Sequence, residues 1–176
     1  GANQVVPVRG YRGEGAPLSR RGLPVYDARL LMNLVYSGDR MTFLDPFAGI
    51  GGVVIEAAAG GFEVTSSDSD PMLRYGLDRL AHGHAVADAR RLPFDSGSFD
   101  AIATEPPYDK KAAGLMASAL HEMDRVLSPS GRLAILCALW QADSLRRRAV
   151  ELDMELLLDA QINREGLDVV VLLWAK

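Results

Sequence analysis

The sequence has little of what builds cross-links, metal centres or membrane spans. Its one cysteine, Cys137, excludes an intramolecular disulfide, fits a reducing cytoplasm, and lies in an apolar run as inert core. Of three histidines, His82 and His84 alternate as a metal pair would. No further ligand cluster accompanies them, so they read as a loop-to-strand junction and no metal is expected. The longest apolar runs are too short to cross a bilayer and no signal peptide is visible, so no membrane partner is expected. Positive charge is not in excess either. A net charge of −4 and a pI of about 5.4 argue against a dedicated, strongly basic nucleic-acid binder.

What charge there is, is unevenly spread. Residues 1–23 hold Arg9, Arg12, Arg20 and Arg21 against Glu14, a net +3, which leaves the remainder at −7. A basic arm on an acidic body can guide a polyanion, whereas a solvated tail needs no partner. Glycine and proline punctuate residues 1–22, which read as a basic arm ahead of one domain at 23–176. The first residue, Gly1, is not a methionine, which admits a longer parent protein.

From Pro24 onward the pattern is periodic. Ala28, Leu31, Met32, Val35 and Tyr36 recur at helical spacing. Short runs at 41–44, 63–67, 84–87, 100–104 and 133–139 read as strands. Helices are expected between them at 53–59, 71–81, 112–127 and 143–152, with Ser128-Pro129-Ser130-Gly131 stopping the fourth. Runs at 154–158 and 169–174 close the chain as an antiparallel pair, with Trp140 and Trp174 packing at strand ends. Arg146-Arg147-Arg148 reads as a solvated helix face. Alternating strands and helices predict an α/β fold, a mostly parallel sheet covered by helices on both faces. Ligands of such sheets sit at the carboxyl ends of the strands, where Asp45, Asp68, Asp88 and Glu105 all fall.

Asp45-Pro46-Phe47-Ala48-Gly49-Ile50-Gly51-Gly52 joins the first strand to a helix. Its glycines allow close backbone approach to a ligand, but Gly49-x-Gly51 alone also describes a dinucleotide site. Val54 stands where a nicotinamide fingerprint needs its third glycine, and the charge of Asp45 would oppose a pyrophosphate. S-adenosylmethionine has no phosphate; its ammonium and sulfonium tolerate carboxylates, and its own carboxylate can use N–H groups at the helix start. Asp68, with Ser69 beside it, suits a ribose diol, and Asp88 with Ala89 suits the adenine amine. Asp70 stands as the substitute for Asp68, or as a helix N-cap ahead of Pro71.

Phe43-Leu44-Asp45-Pro46-Phe47-Ala48-Gly49-Ile50-Gly51-Gly52 resembles the first cofactor motif of class I methyltransferases. Ala87-Asp88-Ala89, Leu92-Pro93-Phe94 and Ser98-Phe99-Asp100 are similar to their later motifs. The resemblance runs from about Pro24 to the C-terminus. It implies S-adenosylmethionine as cofactor and a Rossmann-like, seven-stranded sheet whose last strand is reversed.

Glu105-Pro106-Pro107-Tyr108 follows the fourth strand. Two prolines fix the backbone and remove two N–H donors, so carbonyls face outward. A nitrogen attacking a methyl group needs acceptors for its N–H protons, which the Glu105 carboxylate and Pro106 carbonyl can supply. Tyr108 offers a face for a planar base, worth about 1–3 kcal/mol per stacked base. The tetrapeptide is similar to the Asp/Asn/Ser-Pro-Pro-Tyr/Phe motif of amino methyltransferases acting on adenine, guanine, cytosine or protein glutamine. It departs from that motif in Glu105, one methylene longer, and aspartate there is expected to serve at least as well.

Val25-Tyr26-Asp27-Ala28-Arg29-Leu30-Leu31, Asp45-Pro46-Phe47 and Glu56 together resemble THUMP-associated RNA guanine-N2 methyltransferases. That resemblance implies tRNA or another RNA as partner. No segment is long enough to be a THUMP domain, so substrate docking would fall to a separate recognition domain or a partner chain. The alternatives are DNA adenine methylation, protein glutamine methylation, or a non-catalytic methyltransferase-like scaffold.

Overall fold

The computed structural model describes residues 23–109, 113–164 and 167–176; the arm expected at 1–22 lies outside them. Helix α1 (Val25–Val35) starts on Pro24, whose locked φ and missing N–H suit a helix start. Ala28, Leu31, Met32 and Val35 form its buried stripe, as the period predicts. Tyr36 does not continue it; it ends the helix, half exposed, with its hydroxyl donating to Asp39 at 2.9 Å.

Strands β1 (Thr42–Asp45), β2 (Glu63–Asp68), β3 (Gly83–Val86), β4 (Phe99–Thr104) and β5 (Leu127–Ala138) are parallel. With β6 (Glu155–Arg164) and β7 (Leu167–Ala175) they form a seven-stranded sheet in the order β3-β2-β1-β4-β5-β7-β6. The last strand is antiparallel to both neighbours, as the resemblance implies.

Side chains alternate across this sheet, and both sets are apolar. Leu44, Ile102, Leu133 and Ile135 pack against α4 (Ala113–Val126) and α5 (Leu139–Glu151) on one face. Phe43, Ala101, Ala103 and Leu136 pack against α1 and α2 (Gly52–Ala59) on the other. Trp174 is fully buried, as expected, but Trp140 sits in the first turn of α5 with 38% of its surface exposed.

Several elements differ from the sequence reading: α5 begins at Leu139, not 143, and β6 runs to Arg164, not 158. The helix expected over 71–81 is a 3-10 turn (Pro71–Leu73) and one α-turn, α3 (Arg74–Leu77). Leu77 is its sole buried residue while Met72 and Tyr75 face solvent, so no apolar stripe sustains a longer helix. Strand β5 begins at Leu127, not 133, because Leu127 pairs with Phe99 before the register jumps to Arg132 opposite Ala101. Ser128-Pro129-Ser130-Gly131 is thus a bulge within the strand. A Cβ on Gly131 would lie 2.6 Å from Leu127 Cδ1, so glycine alone fits there.

Candidate active site

Because β3, β2, β1 and β4 are neighbours in that order, Asp88, Asp68, Asp45 and Glu105 line one continuous sheet edge. Asp45 ends β1 and is almost fully buried. Its Oδ1 accepts from the Thr104 hydroxyl at 2.7 Å and the Phe47 N–H at 3.2 Å. Burial pushes its carboxyl up to about 7; the two hydrogen bonds oppose that shift, and the negative charges of Asp68 and Glu105 add to it.

The glycine turn is closed by its own donors. Phe47 N–H goes to Asp45, Ala48 N–H to the Ser67 carbonyl, Gly49 N–H to Asp68 Oδ2 and Gly51 N–H to the Ala48 carbonyl. These N–H groups brace the turn rather than face outward. Gly49 and Gly51 adopt φ of +52° and +88°, which a side chain resists. A Cβ on Gly49 would meet nothing closer than 3.9 Å, so the backbone there lies open to close approach. Pro46 is buried and Phe47 packs against the α4–α5 core, which seats the turn on β1.

Asp68 ends β2, and its second oxygen accepts from the Asp70 N–H at 2.9 Å. Asp70 accepts from Met72 N–H at 3.0 Å, the N-cap role, and Ser69 is exposed between them. Asp88 is bound by Arg90 through the backbone N–H at 2.9 Å and through Nη2 at 2.6 Å, which holds its carboxyl below the usual range. Ala89 is buried behind it.

The Glu105-Pro106-Pro107-Tyr108 turn is held from three elements. The Tyr108 hydroxyl donates to Glu105 Oε1 at 2.6 Å, and Arg164 Nη1 donates to the same oxygen at 3.0 Å. Tyr108 packs against the α1–α2 core, and burial raises its hydroxyl pKa, with the Glu105 charge adding to the effect. The buried Gln141 of α5 donates from Nε2 to the Pro107 carbonyl at 3.0 Å and accepts from Ala138 N–H at 2.9 Å. Pro106 is buried and Pro107 exposed.

Arg164, Thr104 and Gln141 were not legible as site residues. Arg164 is the last residue of β6, and its Nε lies 2.9 Å from Asp27 Oδ2 of α1, close enough for an ion pair although that oxygen accepts no hydrogen bond. The sequence reading ended that strand at 158, so nothing in it placed Arg164 at a strand's carboxyl end beside the acids.

Other polar residues are tied into the scaffold. His82 Nδ1 accepts from Val64 N–H at 3.0 Å, and His84 Nδ1 shares a 2.9 Å hydrogen bond with Ser66 Oγ. Arg146 pairs with Asp159 and Asp143, and Arg148 with Glu151. Burial pushes the Cys137 thiol up to about 12. A cavity of about 330 Å³ lined by Tyr36, Asp39, Met41 and Phe62 lies at the opposite sheet edge, before β1 and β2, away from the acids.

The edge fits a cationic ligand. It places carboxylates at the ends of adjacent strands around an open, positive-φ glycine, and one of them, Asp45, is buried with only the Thr104 hydroxyl and the Phe47 N–H as hydrogen-bond partners among the described residues. Comparison with known proteins agrees. The methyltransferase domain family matches residues 44–135. A tRNA (guanine(10)-N2)-dimethyltransferase of Methanothermobacter thermautotrophicus is 38% identical over 95 residues, covering 49% of this chain and 27% of that protein. A demethylmenaquinone methyltransferase of Clavibacter sepedonicus is 38% identical over 104 residues, covering 56% and 41%. The crystal structure of TrmN from Thermus thermophilus superposes with a TM-score of 0.77 at 27% identity, over 89% of this chain and 50% of that one. The chain thus spans half or less of the length of these relatives. With the family match covering more than half its length, this chain belongs to the methyltransferase domain family, of the Rossmann-like class whose cofactor is S-adenosylmethionine.

Proposed function

We propose that this domain methylates an exocyclic amine of a nucleic-acid base, with guanosine in tRNA or another RNA as the favoured acceptor. One observation carries the reading. Glu105 stands at the carboxyl end of β4, beside the β1 glycine turn, with both of its hydrogen bonds on Oε1 and none on Oε2 among the described residues. That oxygen is available to accept an N–H.

S-adenosylmethionine, when bound, supplies a methyl group whose carbon–sulfur electron pair stays on sulfur as the acceptor nitrogen bonds to carbon. Asp45 would face the cationic part of such a ligand, Asp68 with Ser69 its ribose diol and Asp88 with Ala89 its adenine amine, with Pro46, Phe47, Ala48, Gly49 and Gly51 shaping the wall. Glu105 Oε2 accepts the amine N–H, which turns the nitrogen lone pair away from it, and takes the proton the alkylated nitrogen loses. Pro106 and Pro107 fix the turn and Tyr108 borders the base. Catalysis is then mostly positioning. The tRNA-modifying relative supports the RNA acceptor.

A second reading, a small-molecule acceptor, is favoured by the similarity to a demethylmenaquinone methyltransferase. Transfer of labelled methyl to tRNA, other RNA, DNA, protein and quinone precursors, followed by nucleoside analysis of the labelled pool, separates the two. Label in N2-methylguanosine supports the proposal, label in a DNA base amine keeps the amine reading but overturns the RNA acceptor, and label in protein or quinone alone overturns the proposal. A chain that binds S-adenosylmethionine yet labels no pool is a scaffold.

A further inference from the structure

We infer that Arg164 is a positioning residue for the acceptor site: seated on Asp27 of α1, its guanidinium holds Oε1 of Glu105 so that Oε2 is turned to the acceptor amine. This rests on the reading of Glu105 as the amine acceptor. The Arg164, Asp27 and Glu105 side chains keep only 17%, 6% and 22% of their surface exposed, so one cation lies between two largely buried carboxylates. Burial of charge is costly, and it is retained here at the point where α1, β6 and the β4 turn meet.

The geometry of the contact is specific. Arg164 Nη1 and the Tyr108 hydroxyl both reach Oε1, at 3.0 and 2.6 Å, and are themselves 3.4 Å apart. A carboxylate with two donors on one oxygen is fixed in rotation, and its other oxygen points away from them. The extra methylene of Glu105 matters for the same reason. Aspartate would withdraw the carboxylate by about one carbon–carbon bond, roughly 1.5 Å, further than a 3.0 Å contact tolerates. The departure from the common motif and the arginine on β6 are one arrangement, so Glu105→Asp is expected to lower activity, the reverse of what the motif alone implies.

The test is a double-mutant cycle in the full chain, on whichever acceptor pool wild type labels. Arg164→Met is expected to lower kcat at least about tenfold, as loss of a charge-assisted bond does, while the Kd for S-adenosylhomocysteine by calorimetry stays within about twofold. In a Glu105→Ala background the same substitution is expected to change kcat less than about twofold, because Arg164 acts through that carboxylate. Glu105→Asp should lose about fivefold or more. Should Arg164→Met fail to fold on its unpaired Asp27, Asp27→Asn/Arg164→Met removes both charges. The crystal structure of that variant is expected to show Glu105 turned away from Tyr108. Wild-type kcat in Arg164→Met, equal losses in both backgrounds, or an unmoved Glu105 each overturn the positioning role while leaving Glu105 as acceptor. Wild-type kcat in Glu105→Ala overturns the acceptor reading, and this inference with it.

Discussion

The Gly49 N–H donates to Asp68 Oδ2 at 2.9 Å, so the carboxylate that ends β2 and the turn that follows β1 form one unit. Asp68 also holds the Asp70 N–H on its other oxygen. It therefore braces the turn of the candidate site as well as standing at its edge.

Replacing Asp68 with alanine is expected to weaken binding of S-adenosylhomocysteine by about 1.5–3 kcal/mol, the range for hydrogen bonds to a charged group. The melting temperature should fall as well, since the glycine turn loses its anchor. Calorimetry and thermal unfolding check both, and unchanged affinity would remove Asp68 from the site.

The raised carboxyl of Asp45 gives a pH dependence with a definite sign. Its folded value, about 7, lies above its ordinary 3.8, so the folded chain holds a proton that the unfolded chain has lost between those limits. Stability from this group is full below about pH 4 and declines as pH rises through 7. Asp45→Asn keeps an acceptor and removes the titration, so its stability relative to wild type should climb from pH 4 to 7 and then level off. Cofactor binding at pH 6 should also release a fraction of a proton, read from calorimetry in buffers of different ionisation enthalpy. Asp45→Asn should abolish that release.

Gly51 and Gly61 have φ of +88° and +81°, but only at Gly51 would a Cβ meet neighbours, Leu77 Cδ2 at 3.1 Å and Leu80 Cδ1 at 3.2 Å. Both alanine variants incur backbone strain of about 1–3 kcal/mol. Gly51→Ala should lose more, by chemical denaturation, because the Leu77 and Leu80 side chains must also give way. Equal losses would show that the contact with these side chains is slack.

If the arginines at 9, 12, 20 and 21 hold RNA phosphates, changing them to serine should reduce the slope of log affinity against log salt by roughly 0.7–0.9 per lost contact. Cofactor affinity should not move. Equal slopes would leave the arm without a role in RNA binding.

Local rules determined most of the architecture. Short runs bounded by turn residues marked the strands, and period-3.6 apolar patterns marked the helix faces that cover both sides of a parallel sheet. The acids were legible for the same reason: Asp45, Asp68 and Glu105 each follow an apolar strand, and strand ends at one edge of a parallel sheet converge. Where local signals gave out, the boundaries moved. Leu127 joined β5 because Phe99 lay opposite it, and residues 78–81 left the helix because α3 had no stripe to bury. The distant partners of the acids, Thr104 for Asp45, Gly49 for Asp68 and Arg164 for Glu105, were decided by tertiary structure. Arg164 is 59 residues from Glu105 in sequence and meets it because β7 is inserted antiparallel between β5 and β6, so that β6 ends on the same edge as β4. Periodicity speaks for neighbours along the chain, and the ionisation of Asp45 and the orientation of Glu105 depend on neighbours across it.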